Sequence, residues 1–220
     1  MMRVCPIRLA HTQKFHMKLE PPRGMEVTMM RIITGKARGC KLYTLEGADT
    51  TRPTTERVKQ AIFSMIQFDI EGRDVLDLFG GSGQMGLEAV SRGARHAIIV
   101  DKSKPAVDVI YKNMLKTKLA PDCFVVKSDY ADFLKSRQGR EQYDIVFLDP
   151  PYASDALSES LLLLLRYDLL KPGARVICES DKENIWGKHF ALCDRYRVIG
   201  KTHHASSYVT ILEPVMEEEA

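Results

Sequence analysis

The chain has 220 residues, 45% of them hydrophobic and 28% charged, with a formal net charge of +3. That length supports one well-buried core, since single cores grow to roughly 250 residues before chains split into domains. The longest apolar run, Leu161 to Leu165, is five residues; a bilayer span needs ~20, so a membrane role is excluded, and so small a net charge leaves nucleic-acid binding to be judged from its distribution.

Five cysteines (Cys5, Cys40, Cys123, Cys178 and Cys193) are scattered, and no two share a C-x-x-C spacing. An odd, dispersed set argues for reduced thiols and a cytoplasmic protein rather than a disulfide frame or a metal site. Residues 1–29 mix His11, Lys14, His16 and Lys18 with Pro21-Pro22-Arg23-Gly24 and show no sustained periodicity. They lack the apolar region of a secretory signal. They read as a poorly structured extension, with Met29 or Met30 as a candidate start.

Residues 31–45 alternate short β-prone pieces with Gly35 and Gly39, which predicts a small hairpin. Over 53–68, Val58, Ala61, Ile62, Met65 and Ile66 recur at helical spacing behind Pro53. A regular alternation follows. Apolar strands are predicted at 74–79, 97–101, 123–127, 144–149 and 174–179, separated by helices at 84–92, 104–118, 130–137 and 155–170. Short apolar strands alternating with helices indicate a parallel sheet covered on both faces. Segments 195–201 and 207–213 read as a terminal antiparallel pair, and Glu217, Glu218 and Glu219 as a solvated tail.

The first of these strands runs into Phe79-Gly80-Gly81-Ser82-Gly83, and residues 81–86 satisfy G-x-G-x-x-G. Such glycines let the backbone approach a ligand at a helix N-terminus. Asp101 ends the next strand, where a carboxylate can accept from ribose hydroxyls. This much fits a nicotinamide enzyme as well as a methyltransferase. Asp77, inside the strand, discriminates: a carboxylate there suits the cationic amino-acid end of S-adenosylmethionine, directly or through water. Asp129, after the third strand, is placed to accept from an adenine amino group, to cap the following helix, or both. Phe79, Lys102, Ser128 and Tyr130 flank these positions and, with Asp149, complete the candidate cofactor set.

The fourth strand ends in Asp149-Pro150-Pro151-Tyr152, a more specific signal than the glycines. Two prolines remove two backbone donors and stiffen the chain, leaving carbonyls free to face a crevice. An exocyclic amine on a nucleobase is a poor nucleophile because its lone pair is delocalised into the ring. Asp149 and the Pro150 carbonyl can accept both of its N–H bonds and turn that lone pair toward a methyl donor, while Tyr152 stacks on the base. Asp149 is also the candidate proton acceptor. A sulfonium methyl donor is already activated, so no metal is expected. A base inside a duplex would have to be flipped out or already unpaired.

With these motifs assembled, the chain resembles the RsmD-type guanine-N2 methyltransferases of small-subunit ribosomal RNA, from about Met30 to Pro214. The resemblance is carried by residues 31–39, Thr51-Arg52-Pro53-Thr54, residues 76–83, Gly86-Leu87-Glu88-Ala89, Ser91-Arg92-Gly93-Ala94 and Asp149-Pro150-Pro151-Tyr152. It implies a Rossmann-like class I methyltransferase fold. That is an α/β domain over 53–214 with a mostly parallel seven-stranded sheet and a terminal antiparallel hairpin, preceded by a small basic β-hairpin at 30–52 and followed by an acidic tail at 215–220. It also implies S-adenosylmethionine as cofactor, S-adenosylhomocysteine as product, and 16S rRNA in an assembling 30S subunit as partner; nothing in the residues demands more than a monomer. Two positions depart from the family: Asp101, where glutamate is more usual, and Gln84, where a small residue is usual.

Seven Lys or Arg lie between Arg31 and Lys59, against Glu46, Asp49 and Glu56. Arg31, Lys36, Arg38, Lys41 and Arg52 are the candidate phosphate contacts, and Arg92 and Arg95 can extend the basic face. His203 and His204 are expected in the terminal hairpin turn, and Glu179 near the crevice. A DNA adenine-N6 methyltransferase and a non-catalytic RNA-binding or ribosome-assembly factor are the competing readings.

Overall fold

The computed structural model describes residues 25–45, 53–152, 154–204 and 207–215. A two-stranded antiparallel hairpin, β1 (Met25–Arg31) and β2 (Lys41–Leu45), precedes helix α1 (Pro53–Met65). The alternation then runs β3 (Asp74–Asp77), α2 (Gln84–Ser91), β4 (His96–Asp101), α3 (Lys104–Thr117), β5 (Cys123–Lys127), α4 (Tyr130–Arg137), β6 (Tyr143–Leu148), α5 (Ala156–Arg166) and β7 (Leu170–Ser180). It closes with β8 (Tyr196–His204) and β9 (Ser207–Pro214). The sheet order is β5-β4-β3-β6-β7-β9-β8. Five strands are parallel, and β9 and β8 complete the sheet by antiparallel pairing.

Strand periodicity divides the core in two. Val75, Ile145, Phe147 and Ile177 face the side packed by Ile62, Leu87 and Ile110 of α1, α2 and α3. Leu76, Val146, Leu148 and Cys178 face Phe133, Leu161 and Leu164 of α4 and α5. Successive strand side chains point to opposite faces, so continuous apolar runs are what a doubly covered sheet requires.

Several boundaries differ from the sequence expectation. Residues 25–29, expected in an unstructured extension, are strand, because Met25 pairs with Leu45 and Val27 with Tyr43 across the hairpin. Residues 1–24 of that extension and residues 216–220 of the expected acidic tail lie outside the described residues. Helix α5 ends at Arg166 rather than 170, and Asp168 takes a left-handed φ of 52° before β7 begins. His203 and His204 are strand residues rather than turn residues, because β8 pairs them with Tyr208 and Ser207. The His203 ring stacks on Tyr208 at 4.1 Å, and His204 Nε2 lies 3.0 Å from Thr202 Oγ1.

The hairpin is fastened to the sheet domain by polar groups. Glu88, fully buried on α2, accepts from the backbone N–H of Ile33 (2.7 Å) and Thr34 (3.0 Å) and from Arg92 (2.7 Å). Lys59, only 2% exposed, lies 3.6 Å from Glu88 and donates to the Arg31 carbonyl at 2.6 Å. Lys59 is therefore a buried strut and not part of the basic surface in which it was counted. Burial lowers its pKa against the pull of Glu88. Between the strands, a Cβ on Gly35 (φ 84°) would sit 1.7 Å from the Ser91 carbonyl oxygen, so only glycine lets the turn approach α2. Glu88→Ala should lower stability by about 3–5 kcal/mol, since it strands a buried lysine and two amide groups; thermal melting of the purified variant reads this loss.

Candidate active site

The glycine loop joins β3 to α2, and its shape comes from two carboxylates and two kinds of glycine. Asp101 accepts from the backbone N–H of Gly81 (2.9 Å) through one oxygen and of Ser103 (2.8 Å) through the other. Asp77 accepts from the Gly86 N–H at 3.0 Å. Gly81 and Gly83 adopt positive φ (55° and 78°), and a Cβ on Gly81 would meet nothing within 4 Å, so it faces open space. Gly80 and Gly86 are required by packing: a Cβ there would lie 2.5 and 2.7 Å from the Ile99 side chain. The last glycine thus lets α2 sit close on β4.

Asp77, expected to serve the cofactor's amino-acid end directly or through water, is 3% exposed beneath the loop and lies outside the cleft lining. Desolvation pushes its pKa up to about 7 against the pull of the Gly86 N–H, with Asp101 raising it further. The strand aims it under the turn because β3 ends there and the chain folds back over it. Gly80, Ser82 and Gly83 of the same loop also lie just outside that lining.

A cleft of about 800 Å³ opens at the carboxyl ends of the strands, within the range of small-molecule sites. It lies where the strand order reverses between β3 and β6, the place where open α/β sheets bind ligands. Eleven of the predicted residues meet there. Phe79, Gly81, Asp101 and Lys102 line one part, and Ser128, Asp129 and Tyr130 the next. Asp149, Pro150, Pro151 and Tyr152 complete it across β6. Asp129 caps α4 by accepting from the Ala131 N–H at 2.9 Å while also facing the cleft, so both roles weighed for it are compatible. The Tyr130 ring packs 5.5 Å from Phe79, and its hydroxyl donates to Glu159 at 2.5 Å. That hydroxyl, and then Lys188, hold the Glu159 carboxyl below its ordinary range.

The lining residues outside the predicted set include Glu179, which was expected near the crevice, and Ser207. Glu179 ends in the cleft 3.5 Å from the Tyr152 hydroxyl, and Ser207 Oγ lies 3.1 Å from the same hydroxyl. A third residue, Asn113, is fully buried on α3. It accepts from the Tyr43 N–H (2.8 Å) and donates to the carbonyls of Tyr43 and Ser82 (both 2.9 Å), tying the hairpin to the glycine loop. Its signal was legible: an amide sits in the stripe Ala106, Val109, Ile110, Asn113, Met114, Thr117, which is otherwise mostly apolar.

Of the candidate phosphate contacts, Arg31, Lys36, Arg38 and Lys41 are exposed on the hairpin, with Arg31 paired to Glu56 at 3.1 Å. None lines the cleft, and Arg52 lies outside the described residues. Arg92 is turned inward onto Glu88 and over the Phe63 ring, and Arg95 pairs with Asp74. Neither adds freely to the basic face. Among the described residues, no helix is long and apolar enough to cross a membrane.

A glycine loop after β3 and a D-P-P-Y turn after β6, meeting at the reversal of a sheet closed by an antiparallel strand pair, define a Rossmann-like class I methyltransferase. The family described as "Conserved hypothetical protein 95" matches residues 30–208. Ribosomal RNA small subunit methyltransferase D of Haemophilus influenzae is 35% identical over 70% of this chain and 80% of its own. The solved yhhF protein of Escherichia coli is 29% identical, with a TM-score of 0.73 over 86% of this chain and 99% of that one. SMU.776, solved with S-adenosylhomocysteine, shares the fold at 16% identity, with a TM-score of 0.67 over 88% of this chain and 57% of that one. This chain belongs to the RsmD family of methyltransferases.

The Asp77 carboxyl supplies a pH test. Its folded pKa of about 7 lies above the ordinary 3.8, so its contribution to stability is full below pH 3.8 and is lost as pH rises through 7. Asp77→Asn keeps an oxygen acceptor for Gly86 without ionising. Between pH 5 and pH 8 the ligand-free wild type should lose at least ~2 °C in Tm relative to this variant; differential scanning calorimetry at both pH values measures the gap.

Proposed function

We propose that this protein transfers the methyl group of S-adenosylmethionine to the exocyclic N2 of a guanine in small-subunit rRNA. The observation that carries this reading is the placement of Asp149-Pro150-Pro151-Tyr152 in one cleft with Gly81, Asp101 and Asp129. The donor set fits the cofactor. Asp101 would take the ribose hydroxyls, Asp129 the adenine amino group, and the side-chain-free surface of Gly81 leaves room for the ligand. When bound, the cofactor supplies an electrophilic methyl on a sulfonium.

The chain's own part is orientation. Asp149 and the Pro150 carbonyl accept the two N–H bonds of the base amine, which directs its lone pair. Tyr152, its hydroxyl held near Ser207 and Glu179, fixes the plane of the base. Asp149 then receives the amine proton or passes it to water. The exposed cations Arg31, Lys36, Arg38 and Lys41 of the hairpin, together with Arg52, would hold the RNA phosphates. The substrate reading follows the name of the H. influenzae relative and the sequence resemblance. On this reading the protein acts as a cytoplasmic monomer on 16S rRNA in an assembling 30S subunit.

Methyl transfer from labelled cofactor to naked 16S rRNA, unmodified 30S particles, bulk tRNA and duplex DNA tests the reading. N2-methylguanosine from 16S rRNA or 30S particles is expected, and N6-methyladenine from DNA would overturn it. Asp149→Ala should lower turnover by at least ~10²-fold while the cofactor Kd stays within about twofold. Asp101→Ala should instead raise that Kd about tenfold or more; isothermal titration separates the two effects.

A further inference from the structure

Parallel pairing of β6 with β7 sets Leu148 against Cys178. The next residue in each segment, Asp149 just past the end of β6 and Glu179 near the end of β7, lines the cleft. Adjacent strands are ~4.8 Å apart, so two carboxylates enter the cleft from neighbouring strand ends. The Tyr152 hydroxyl reaches Glu179 at 3.5 Å, which ties that carboxylate to the residue proposed to stack on the base. The lining also holds Asp101, Asp129, Asp155 and Glu159, against Lys102 as its one lysine or arginine among the described residues. Acids in such a lining are matched by a ligand edge rich in N–H donors.

Bases with an exocyclic amine differ in what sits beside it. In guanine the N2 amine adjoins N1–H, a second donor. In adenine it adjoins the bare N1 lone pair, and in cytosine the bare N3 lone pair. A carboxylate next to the amine-holding one accepts from the first base and repels the other two. We infer that Glu179 accepts the N1–H of the target guanine while Asp149 and Pro150 hold its amine, so that Glu179 selects guanine over adenine and cytosine. The inference rests on the guanine reading above and adds the residue that enforces it.

The test uses reconstituted small subunits whose methylated position carries either guanosine or 2-aminopurine riboside, which keeps the 2-amine and lacks N1–H. Wild-type kcat/KM should be about 10²-fold or more lower on 2-aminopurine, because a site built to pair a donor rejects the analogue without it. Glu179→Ala should lose activity on guanosine and bring the two substrates to within a few-fold. Glu179→Gln, which retains an acceptor oxygen, should recover part of the preference, and Tyr152→Phe should retain most of it. The cofactor Kd of each variant, unchanged within about twofold, shows that the fold is intact. Equal proportional losses on both substrates in Glu179→Ala would overturn this assignment alone. Wild-type transfer to adenosine instead of guanosine would overturn the guanine reading and the assignment with it.

Discussion

A parallel sheet covered by helices on both faces has no open face on which to do chemistry. The central parallel strands are apolar through their middles, and their side chains are divided between two cores. What is left is the row of strand ends, where the chain leaves the sheet and backbone groups lose their ladder partners. Helices crossing to opposite faces on either side of β3 and β6 part at that point, and the gap between them is the cleft. The glycine loop and the Asp149–Tyr152 turn share one site because β3 and β6 are hydrogen-bonded neighbours, with Asp77 paired to Phe147.

Buried polar groups then hold the loops around that gap. Asn113, Glu88 and Asp77 each sit within the protein and each bind backbone amides of another segment. A buried amide or carbonyl without a partner costs about 1–3 kcal/mol, so these side chains make one arrangement of loop and hairpin much better than its neighbours. Asn113 matters most for geometry, since it holds Tyr43 of the hairpin and Ser82 of the glycine loop together. The exposed cations of the hairpin are thereby fixed relative to the cleft.

The lining itself is acidic. Several of its carboxylates already carry protein hydrogen bonds: Asp101 holds Gly81 and Ser103, Asp129 caps α4, and Glu159 takes the Tyr130 hydroxyl. Each carboxylate oxygen has two lone pairs, so one can serve the loop while the other faces a ligand. The same groups that shape the loops are in this way available to read donors on a bound nucleoside or base.

Much of this was legible in the residues. The βα alternation, the glycine loop, Asp101, Asp129 and the Asp149–Tyr152 turn follow from periodicity and local motif, because a strand followed by glycines or prolines has few conformations open to it. The positions that were misjudged depend on distant partners. Residues 25–29 are strand because of β2, the two histidines are strand because of β9, and Lys59 is buried because Glu88 lies opposite it. Asp77 was recognised as special, but its direction under the loop is set by the fold-back to Gly86. Glu179, expected near the crevice, shares the cleft with Asp149 because β7 pairs with β6. The sequence alone determined the fold class and the chemical groups available, since both are written in local pattern. Tertiary structure decided which of those groups share the cleft, because that depends on strand order and register, which no local window contains.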